Sequence, residues 1–554
     1  MANEIITGNQ TATYFADSGD VITLAAGASL ITTDEYGLTT RTNQDIGITL
    51  QINGRIETID VLPVSGFIDS AAIFLNSSGG VGAGIGTGNI VRIGTTGHVF
   101  SANGMAIFTT GAGTTIHNRG LIEGYGAIQT SGPGQFIRND GTINFGVQGI
   151  GLSGQTAGAL STIINTGTIK VSADLDDPII GSIAVNLNID NVKVVNTGLI
   201  EAGAGIIAIS ADVSVTNTGT ITTDYEAVLL YFENCRLTNT GTISSSGTLA
   251  NAAVYFGYET NLVLNNSGTI ESGTNGVAGG VTRAVNSGDI VAVGTGIADW
   301  SEKSFSLTNT GLIIGGYAGV TSLSGYDTGP SVIVNYGTIS GQYGTATPGD
   351  SIKMEGGFGR IVNYGTLIGD VTMDCQRNIL TNAGTIDGDV IIFGDLSSYL
   401  ATATGVVLGD IFVIGGPARM QGGDSIDRLF GGESNDIING GGGNDLINGG
   451  AARDILTGGT GADMFVFSTA EDIKSFYGSD RIADFQTGID QIDLSAFMSG
   501  GAFIGGARFQ GIAGEVRYNA TTGQLVGDTD GDRVFDWSMA FTNKAALTVA
   551  DFIF

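Results

Sequence analysis

The sequence predicts an all-β protein: a right-handed parallel β-helix (solenoid) that continues into a parallel β-roll and ends in a C-terminal β cap. Three observations predict this class. Glycine is abundant and proline is rare, at 92 and 6 of 554 residues, and this composition suits many short strands joined by tight turns. The central part repeats one short motif about every 24 residues. A second motif then repeats every nine residues without a gap.

The charge and the cysteines restrict the partners and the compartment. The formal net charge is −31 at pH 7, which argues against nucleic acid and an anionic membrane surface and favours cations. The N-terminus lacks a basic start followed by an apolar run, and no stretch approaches 18 apolar residues, so we expect neither a cleaved signal peptide nor a transmembrane segment. Cys235 and Cys375 lie about six coils apart, too far for a disulfide, and we expect them to be free, packed thiols.

The central motif reads apolar-x-Asn-x-Gly-x-Ile, with one leucine in place of the final isoleucine. The two apolar positions lie at even offsets from the asparagine, so in a strand both side chains point the same way, into the interior. The glycine permits a turn or a close backbone approach, and the asparagines can stack in a hydrogen-bonded ladder along the axis. The twelve asparagines are Asn118, Asn139, Asn165, Asn196, Asn217, Asn239, Asn266, Asn286, Asn309, Asn335, Asn363 and Asn382.

The spacing of these asparagines, 19 to 31 residues, is typical of one coil of a parallel β-helix. We predict an N-terminal cap with irregular first coils at 1–110, the β-helix at 111–412, the roll at 413–470 and a C-terminal cap at 471–554. The longest spacing contains the segment 174–178, which we interpret as a loop that leaves an otherwise regular coil. The β-helical part resembles the repeats of bacterial surface proteins such as autotransporter passengers and filamentous-haemagglutinin-like adhesins, a likeness of architecture that does not fix function.

Residues 422–466 divide into five consecutive nonapeptides with Gly-Gly at positions 1 and 2, aspartate at position 6 and an apolar residue at position 8. This pattern resembles the RTX nonapeptide GGxGxDxUx, which forms a parallel β-roll with Ca²⁺ between its turns. Calcium prefers six to eight oxygen ligands, which periodic carboxylates and glycine carbonyls can supply. The resemblance implies these ligands: Asp427, Asp436, Asp445, Asp454 and Asp463, with Gly432, Gly441, Gly443, Gly450, Gly459 and Gly461.

The fourth position of the nonapeptide departs from the RTX pattern. Its glycine is replaced by Ser425, Ser434 and Ala452 in three repeats and is kept only at Gly443 and Gly461. We therefore expect the best-formed calcium sites in the last three repeats. Carboxylate repulsion should keep the roll unfolded and exportable where calcium is scarce, and calcium outside the cell should drive its folding.

The C-terminal segment resembles the C-terminal region of serralysin-type secreted proteins. The likeness rests on DRIADFQTGIDQIDLSAF at 480–497, GDTDGDRVFDWSMAF at 527–541 and LTVADFIF at 547–554. In that family the region caps the roll and carries an uncleaved type I secretion signal. It implies export by the type I secretion machinery of a Gram-negative bacterium, to the extracellular medium or the cell surface.

A group of aspartates lies within this segment. Their spacing of 1-3-5-9 resembles an oxygen-ligand loop for Ca²⁺, although Met539 stands where an EF-hand loop has glutamate. Both a calcium site and a solvated acidic hairpin fit the pattern. The group consists of Asp528, Asp530, Asp532 and Asp536.

No catalytic pattern is visible in the sequence. Relatives with this C-terminal region include metalloproteases, but the HExxH motif is absent and the only histidines are His98 and His117, so zinc proteolysis is excluded. We expect His117 to be solvated. Enzymes that act on polysaccharides need clustered polar side chains on one face, and the paired Asp176 and Asp177 beside Pro178 are better explained as a solvated loop. We expect that the chain is not an enzyme.

Three functions fit these observations. A calcium-hardened rod suits a structural protein of the cell surface or extracellular matrix, a homo-oligomer or polymer that self-assembles into a filament, layer or biofilm scaffold. The alternatives are a monomeric adhesin that binds glycans or cells through a coil face or the loops 174–180 and 341–350, and a lyase- or epimerase-like enzyme on the β-helix. A cell-surface polysaccharide is the partner that these alternatives imply.

Overall fold

The computed structural model forms two compact units, residues 1–294 and 295–554, and each is described on its own. Its helices among the described residues are two short 3₁₀ helices, Ala470–Ile473 and Val549–Asp551. None of the described helices has the length and apolar character to cross a membrane. The structure describes residues 2–32, 36–40, 47–58, 71–76, 88–154, 158–172, 181–247, 251–259, 261–301, 303–324, 329–342, 349–473 and 479–554.

Residues 1–294 form a parallel β-helix with three faces. Face A contains the strands that end in the repeat asparagine, face B those that follow the repeat glycine, and face C those that complete the coil. On each face a strand pairs in parallel with the strand one coil away, as in the register of Thr115–Asn118 with Phe136–Asn139. The described part of residues 1–110 is built on the same faces.

The strands of this unit are grouped here by face. Face A consists of Asn3–Ile6, Val21–Leu24, Thr49–Ile52, Ile90–Ile93, Thr115–Asn118, Phe136–Asn139, Ser161–Asn165, Val192–Asn196, Val213–Asn217, Arg236–Asn239, Val263–Asn266 and Arg283–Asn286. Face B consists of Asn9–Gln10, Ser29–Thr32, Arg55–Thr58, Thr168–Val171, Leu199–Ala202, Thr220–Thr223, Thr242–Ser245, Thr269–Ser272 and Asp289–Ala292. Face C consists of Tyr14–Ala16, Tyr36–Thr40, Ala71–Asn76, Ile183–Asn188, Ala204–Ala208, Val228–Leu230, Ala252–Phe256 and Asn275–Gly279. Three long strands span faces B and C: His98–Thr110, Leu121–Ser131 and Thr142–Ser153.

The interior of the coils is filled as the motif predicts. In every copy the apolar residues two before and four after the asparagine are at most 1% exposed, as for Ile163 and Ile169. The repeat glycines allow the coils to approach closely, because a Cβ placed on Gly167 would lie 2.0 Å from the carbonyl oxygen of Gly141. Cys235 and Cys375 are buried free thiols, which confirms the prediction made for them.

The repeat asparagines form the predicted ladder in both units. Each Nδ2 donates to the Oδ1 of the asparagine in the next coil, at 2.8 Å along Asn118–Asn286 and at 2.9 Å along Asn309–Asn382. All twelve side chains are buried, and buried amides must find such partners to avoid a desolvation cost. The ladder of the second unit ends at Asn382 because Ala401 occupies the equivalent position one coil later.

Residues 295–554 begin with three-faced coils of the same kind. In this unit face A contains Ser306–Asn309, Ser331–Asn335, Leu396–Ala401, Arg419–Gln421, Ile437–Gly442, Ile455–Thr460, Asp480–Ile482 and Trp537–Phe541. Face B contains Leu312–Gly315, Thr338–Ser340, Thr366–Ile368, Thr385–Asp387 and Val406–Val407. Face C contains Thr295–Asp299, Ala318–Ser324, Val390–Gly394, Ile411–Gly415, Arg428–Phe430, Leu446–Asn448, Met464–Val466, Gln491–Asp493 and Phe552–Ile553. Two long strands span faces C and A: Asp350–Asn363 and Val371–Asn382.

The three-faced helix becomes a two-faced roll when face B ends at Val406–Val407. Faces A and C continue without interruption, since Leu396–Ala401 pairs with Arg419–Gln421 and Ile411–Gly415 with Arg428–Phe430. From there each nonapeptide supplies one strand, alternately to face A and to face C. The position-8 residues are completely buried between the faces: Leu429, Ile438, Ile447, Leu456 and Phe465.

The C-terminal cap covers the end of the roll with an antiparallel sheet. Glu515–Asn519, Gln524–Asp528 and Trp537–Phe541 pair in that order, and Ala502–Phe503 adds at the edge. Trp537–Phe541 also pairs with Asp480–Ile482 of the roll. This shared strand joins the cap to face A.

Candidate calcium-binding sites

The five repeat aspartates are drawn together into two columns that follow the axis of the roll. Successive repeats contribute to different columns, so members of one column are two repeats, or 18 residues, apart. Within each column the backbone N–H of one aspartate donates to Oδ1 of the next, at 2.8 to 3.1 Å. The first column contains Asp427, Asp445, Asp463 and Asp490, and the second contains Asp436, Asp454 and Asp480.

Most of these carboxylates keep one oxygen without a partner inside the protein. Oδ1 of Asp427 and Oδ2 of four others are buried and accept no hydrogen bond from the described residues. A buried carboxylate oxygen without a donor is costly, and a column of them is the donor set that a hard cation prefers. The four others are Asp445, Asp454, Asp463 and Asp480. The chemistry of these oxygens therefore fits calcium.

The first two and the last three repeats differ in whether Oδ2 of the aspartate accepts a hydrogen bond. In the first two, the N–H of Gly423 and of Gly432 donates to Oδ2 of the aspartate of the same repeat, at 2.8 and 3.0 Å. In the last three, the position-2 glycines have positive φ, from 86° to 102°, and Oδ2 is left open. Those glycines are Gly441, Gly450 and Gly459.

The predicted carbonyl ligands lie in the turns beside these carboxylates. The carbonyl oxygen of Gly432 accepts the N–H of Ala451 at 2.9 Å, and that of Gly459 accepts Nε2 of Gln486 at 2.9 Å. Gly443 and Gly461, at position 4, have positive φ of 116° and 135°, a conformation that favours glycine. Their roles as ligands stay predictions.

Burial raises the pKa of every aspartate in the two columns. Desolvation is the largest cause throughout, and it raises the pKa of Asp427 to about 6, of Asp445 and Asp480 to about 7 and of Asp454 to about 9. Repulsion between neighbouring carboxylates of a column adds to the effect at Asp445 and Asp454. The pKa values of Asp436, Asp463 and Asp490 are raised as well. Without a cation, burial in the folded roll therefore disfavours the charged form of these carboxylates.

Sequence reasoning missed several residues of this site. Asp480 and Asp490 extend the columns, although they lie 26 and 27 residues after their predecessors because loops interrupt the repeat. Their signal is the triplet Asp-x-Ile, which matches positions 6 to 8 of the nonapeptide without the glycine pair. Asp484 closes the last turn, since its carboxylate accepts the N–H groups of Gly458 and Gly459 at 2.9 and 2.8 Å.

The position-1 glycines were also missed, and they make room for the carboxylates. A Cβ placed on Gly440, Gly449 or Gly458 would lie 2.2, 2.3 and 2.3 Å from Oδ2 of the aspartate in the same repeat. No side chain fits there without displacing the carboxylate. In the last three repeats the glycine pair thus has a steric cause at position 1 and a conformational cause at position 2.

The acidic loop of the cap brings together three of its four predicted ligands. Carboxylate oxygens of Asp528, Asp530 and Asp536 lie within 4.8 Å of one another. Asp532 is not part of this group, and its Oδ1 accepts the N–H of Val534 at 2.7 Å. Asp528 accepts two backbone N–H groups of the loop, at 2.7 and 2.9 Å. Calcium binding at this loop stays a prediction.

The histidines correct one expectation. His117 is not simply solvated: its Nε2 lies 2.8 Å from Oδ2 of Asp140 in the next coil. Nε2 of His98 lies 3.4 Å from Oε2 of Glu123, and burial lowers the pKa of His98. The pair Asp176 and Asp177, like the rest of the loop 174–180 and residues 343–348 of the second loop, lies outside the described residues.

The fold and the site together define a parallel β-solenoid with an RTX-type roll. Residues 362–554, about a third of the chain, match the family model Peptidase M10 serralysin C terminal. A solved structure, the solution structure of the AlgE6R3 subunit from the Azotobacter vinelandii mannuronan C5-epimerase, is similar at 30% identity; the match covers 26% of this chain and 81% of that chain, with a TM-score of 0.21. No curated protein shows significant similarity to the chain.

These comparisons bear on two expectations. The resemblance of the C-terminal third to the serralysin C-terminal region is confirmed, and this supports a secreted, calcium-binding protein. The expectation that the chain is not an enzyme is contradicted, because the matched subunit is part of an epimerase, and we withdraw it. A likeness at this TM-score transfers no reaction to this chain.

Proposed function

We propose that this chain is a secreted calcium-binding protein whose roll folds when calcium binds outside the cell, and whose β-helix then acts as a rigid extracellular scaffold. The observation that carries the proposal is the set of five buried carboxylate oxygens that accept no hydrogen bond from any residue the structure describes. Calcium satisfies all of them at once, because it binds carboxylate and carbonyl oxygens and neutralises the charge that burial opposes.

The charge of the chain supports folding after export. At a net charge of −31, and with calcium scarce, repulsion within the aspartate columns opposes the folded roll. Binding of calcium to the folded state alone adds directly to its stability. The match of residues 362–554 to a serralysin C-terminal region supports export by a type I system, which takes an unfolded chain.

The β-helix is suited to a load-bearing role because its coils are fixed to each other by more than backbone pairing. Seven consecutive asparagine bonds connect the coils from Asn118 to Asn286, inside an apolar interior. Buried polar networks that are fully satisfied rigidify a core. We therefore expect the β-helix to resist bending and compression.

An apolar patch on face C supports self-assembly of the scaffold. Five outward side chains of three adjacent strands lie beside one another, and the rings of Phe412 and Phe430 stack with centroids 4.9 Å apart. Phe393 and Ile414 are 37% and 39% exposed. Contiguous exposed apolar surface marks an interaction site, and we assign this one to a second copy of the chain. The patch consists of Ile391, Phe393, Phe412, Ile414 and Phe430.

The experiment that tests the proposal is a calcium titration of the purified chain. We expect the roll to fold between micromolar and millimolar calcium, followed by circular dichroism, and the particle mass to rise with it, followed by light scattering. A roll that is fully folded in calcium-free buffer at neutral pH would overturn the calcium part. A folded monomer at millimolar calcium would overturn the scaffold part.

A further inference from the structure

Basic side chains align on face A of the first unit, far along the chain from the roll. Arg92, His117 and Arg138 occupy the same outward position in three consecutive coils, as the strand register shows. Gln51 precedes them and Ile164 follows them in this row. Adjacent strands of a sheet lie about 4.8 Å apart, so three cationic groups follow one another at that interval.

One carboxylate fixes two of these groups. Nε of Arg138 lies 2.8 Å from Oδ1 and 2.9 Å from Oδ2 of Asp140. Nε2 of His117 lies 2.8 Å from Oδ2 of the same carboxylate. The hydroxyl of Thr166 donates a hydrogen bond to Oδ1 of Asp140 at 2.7 Å. The hydrogen bonds and charges of these partners hold the pKa of Asp140 well below its usual range, against the effect of burial. The side chains are therefore held in place before any ligand binds.

Two further arginines add charge that nothing in the described structure neutralises. Arg92 and Arg119 are exposed, and their guanidinium groups have no hydrogen-bond or ion-pair partner among the described residues. The whole chain has only 22 Lys and Arg against 53 Asp and Glu. The aligned Arg92, His117 and Arg138, with Arg119 two residues after His117, are thus a local excess of positive charge in a strongly acidic protein. Alignment of like charges is unfavourable without an anion.

We infer that this basic row, defined as the aligned Arg92, His117 and Arg138 together with Arg119 just after the strand of His117, binds a linear acidic polysaccharide laid along the helix axis, with about one carboxylate or sulfate group per coil. The length of one sugar residue in an extended polysaccharide is close to the strand spacing, so an acidic group on each sugar meets a basic group on each coil. Phe136 lies on the same outward side of the same strand as Arg138 and is 37% exposed. Its ring offers a surface on which a sugar ring stacks.

The spacing and the total charge favour a polysaccharide over a nucleic acid. A nucleic acid strand carries one charge per about 3.4 Å. That spacing does not match basic side chains that follow one another at about 4.8 Å. The net charge of −31 also repels a dense polyanion more strongly than a polymer with one charge per sugar. The inference does not depend on calcium-dependent folding of the roll, since the row lies in residues 92–140 of the other unit.

The test is binding of a short galacturonic acid oligomer to the full-length, calcium-loaded protein, measured by titration calorimetry. We expect binding that weakens with added salt, and much weaker binding of a neutral galactose oligomer of the same length. The double variant Arg92→Ala and Arg119→Ala removes two charges that hold no structural contact. It should bind the acidic oligomer about tenfold more weakly or worse, with an unchanged calcium-folding curve.

The matched control is Arg236→Ala with Arg283→Ala, two exposed arginines of face A that lie in separate coils with Val263 between them. This variant loses the same charge and should bind the oligomer as the unaltered protein does. The inference is overturned if the acidic oligomer does not bind, if the neutral oligomer binds equally well, or if both double variants weaken binding alike. Self-association that is lost in the Arg92 and Arg119 variant without any glycan would assign the row to a second copy instead.

Discussion

The backbone N–H of Asp427 donates a 2.8 Å hydrogen bond to Oδ1 of Asp445, one coil further along the roll. The other oxygen of Asp445, Oδ2, is buried and accepts no hydrogen bond from the described residues. The two oxygens of one carboxylate thus have different tasks: Oδ1 holds neighbouring coils together, and Oδ2 is open to a ligand. An asparagine at this position keeps the Oδ1 hydrogen bond but has an amide nitrogen in place of the open Oδ2. The substitution therefore separates the two roles.

Asp445→Asn should weaken calcium binding and stabilise the calcium-free roll. The amide oxygen still accepts the N–H of Asp427, but the buried negative charge is gone, so the metal-free state loses an unfavourable group and calcium loses a ligand. We expect the calcium concentration at the folding midpoint to rise about tenfold. In calcium-free buffer at pH 8 the folded fraction of the roll should rise. Both are measured by circular dichroism.

The control is Asp436→Asn, at a repeat aspartate whose two oxygens both accept hydrogen bonds. Its Oδ1 accepts the N–H of Ala418 at 2.7 Å and its Oδ2 that of Gly432 at 3.0 Å. In the asparagine variant the side-chain amide nitrogen would face one of these backbone N–H groups, and two donors cannot form a hydrogen bond. This variant should therefore be destabilised with and without calcium. Equal behaviour of the two variants would contradict the assignment of Oδ2 of Asp445 as a ligand atom.

The stability of the calcium-free roll should fall as the pH rises. The folded pKa values of Asp427, Asp445 and Asp454, about 6, 7 and 9, lie above the ordinary value near 4, so the folded state binds more protons than the unfolded state between these limits. Stability is then largest below pH 4 and is lost progressively up to about pH 9. The folded fraction of the roll in calcium-free buffer, followed by circular dichroism from pH 4 to pH 9, measures this slope.

Saturating calcium should reverse that dependence. Calcium binds the deprotonated carboxylates, so protons compete with it, and its apparent affinity should increase over the same pH range. A calcium-free roll that becomes more stable between pH 5 and pH 8 would contradict the burial of these carboxylates in the absence of metal.

The sequence allowed the coil interior, the asparagine ladder and the five repeat aspartates to be predicted because each depends on a short period. Asp480 and Asp490 could not be predicted, since loops lengthen their spacing and the glycine pair is missing. The contact of His117 with Asp140 was also missed. Coil lengths vary from 19 to 31 residues, so the residues that meet across coils depend on the register of strands and not on a fixed spacing.

Replacing Phe412 and Phe430 by serine should reduce self-association. The two rings stack on the outside of face C, and their removal takes away the centre of the apolar patch. We expect the calcium-dependent rise in particle mass, measured by light scattering, to be lost or to need a much higher protein concentration.

The matched control for this variant is Ile437→Ser with Ile455→Ser. These side chains are also exposed, at 48% and 40%, and adjacent in register, but they lie on face A of the roll. The control should assemble as the unaltered protein does. If both variants lose assembly, the patch on face C is not the contact surface.

Asn217→Ala should destabilise the β-helix by about 2 to 4 kcal/mol. Nδ2 of Asn217 donates to Oδ1 of Asn239 at 2.8 Å, and its Oδ1 accepts Nδ2 of Asn196 at 2.8 Å. Alanine breaks both bonds and leaves an unsatisfied acceptor in a buried place. Thr216→Ala, on the outward side of the same strand, should change stability by less than about 0.5 kcal/mol. Urea unfolding compares the two.

Ala452→Gly should stabilise the roll, although it removes a methyl group. Ala452 occupies position 4 of the fourth repeat with a φ of 89°, a conformation that costs an L-residue about 1 to 2 kcal/mol and glycine almost nothing. Glycine also matches Gly443 and Gly461 at the same position, whose φ values are positive too. We expect a gain of about 1 kcal/mol in the free energy of unfolding and a lower calcium midpoint. Ala451→Gly, one residue earlier and without positive φ, should instead lose stability through the greater freedom of the unfolded chain, and equal effects of the two changes would contradict strain at Ala452.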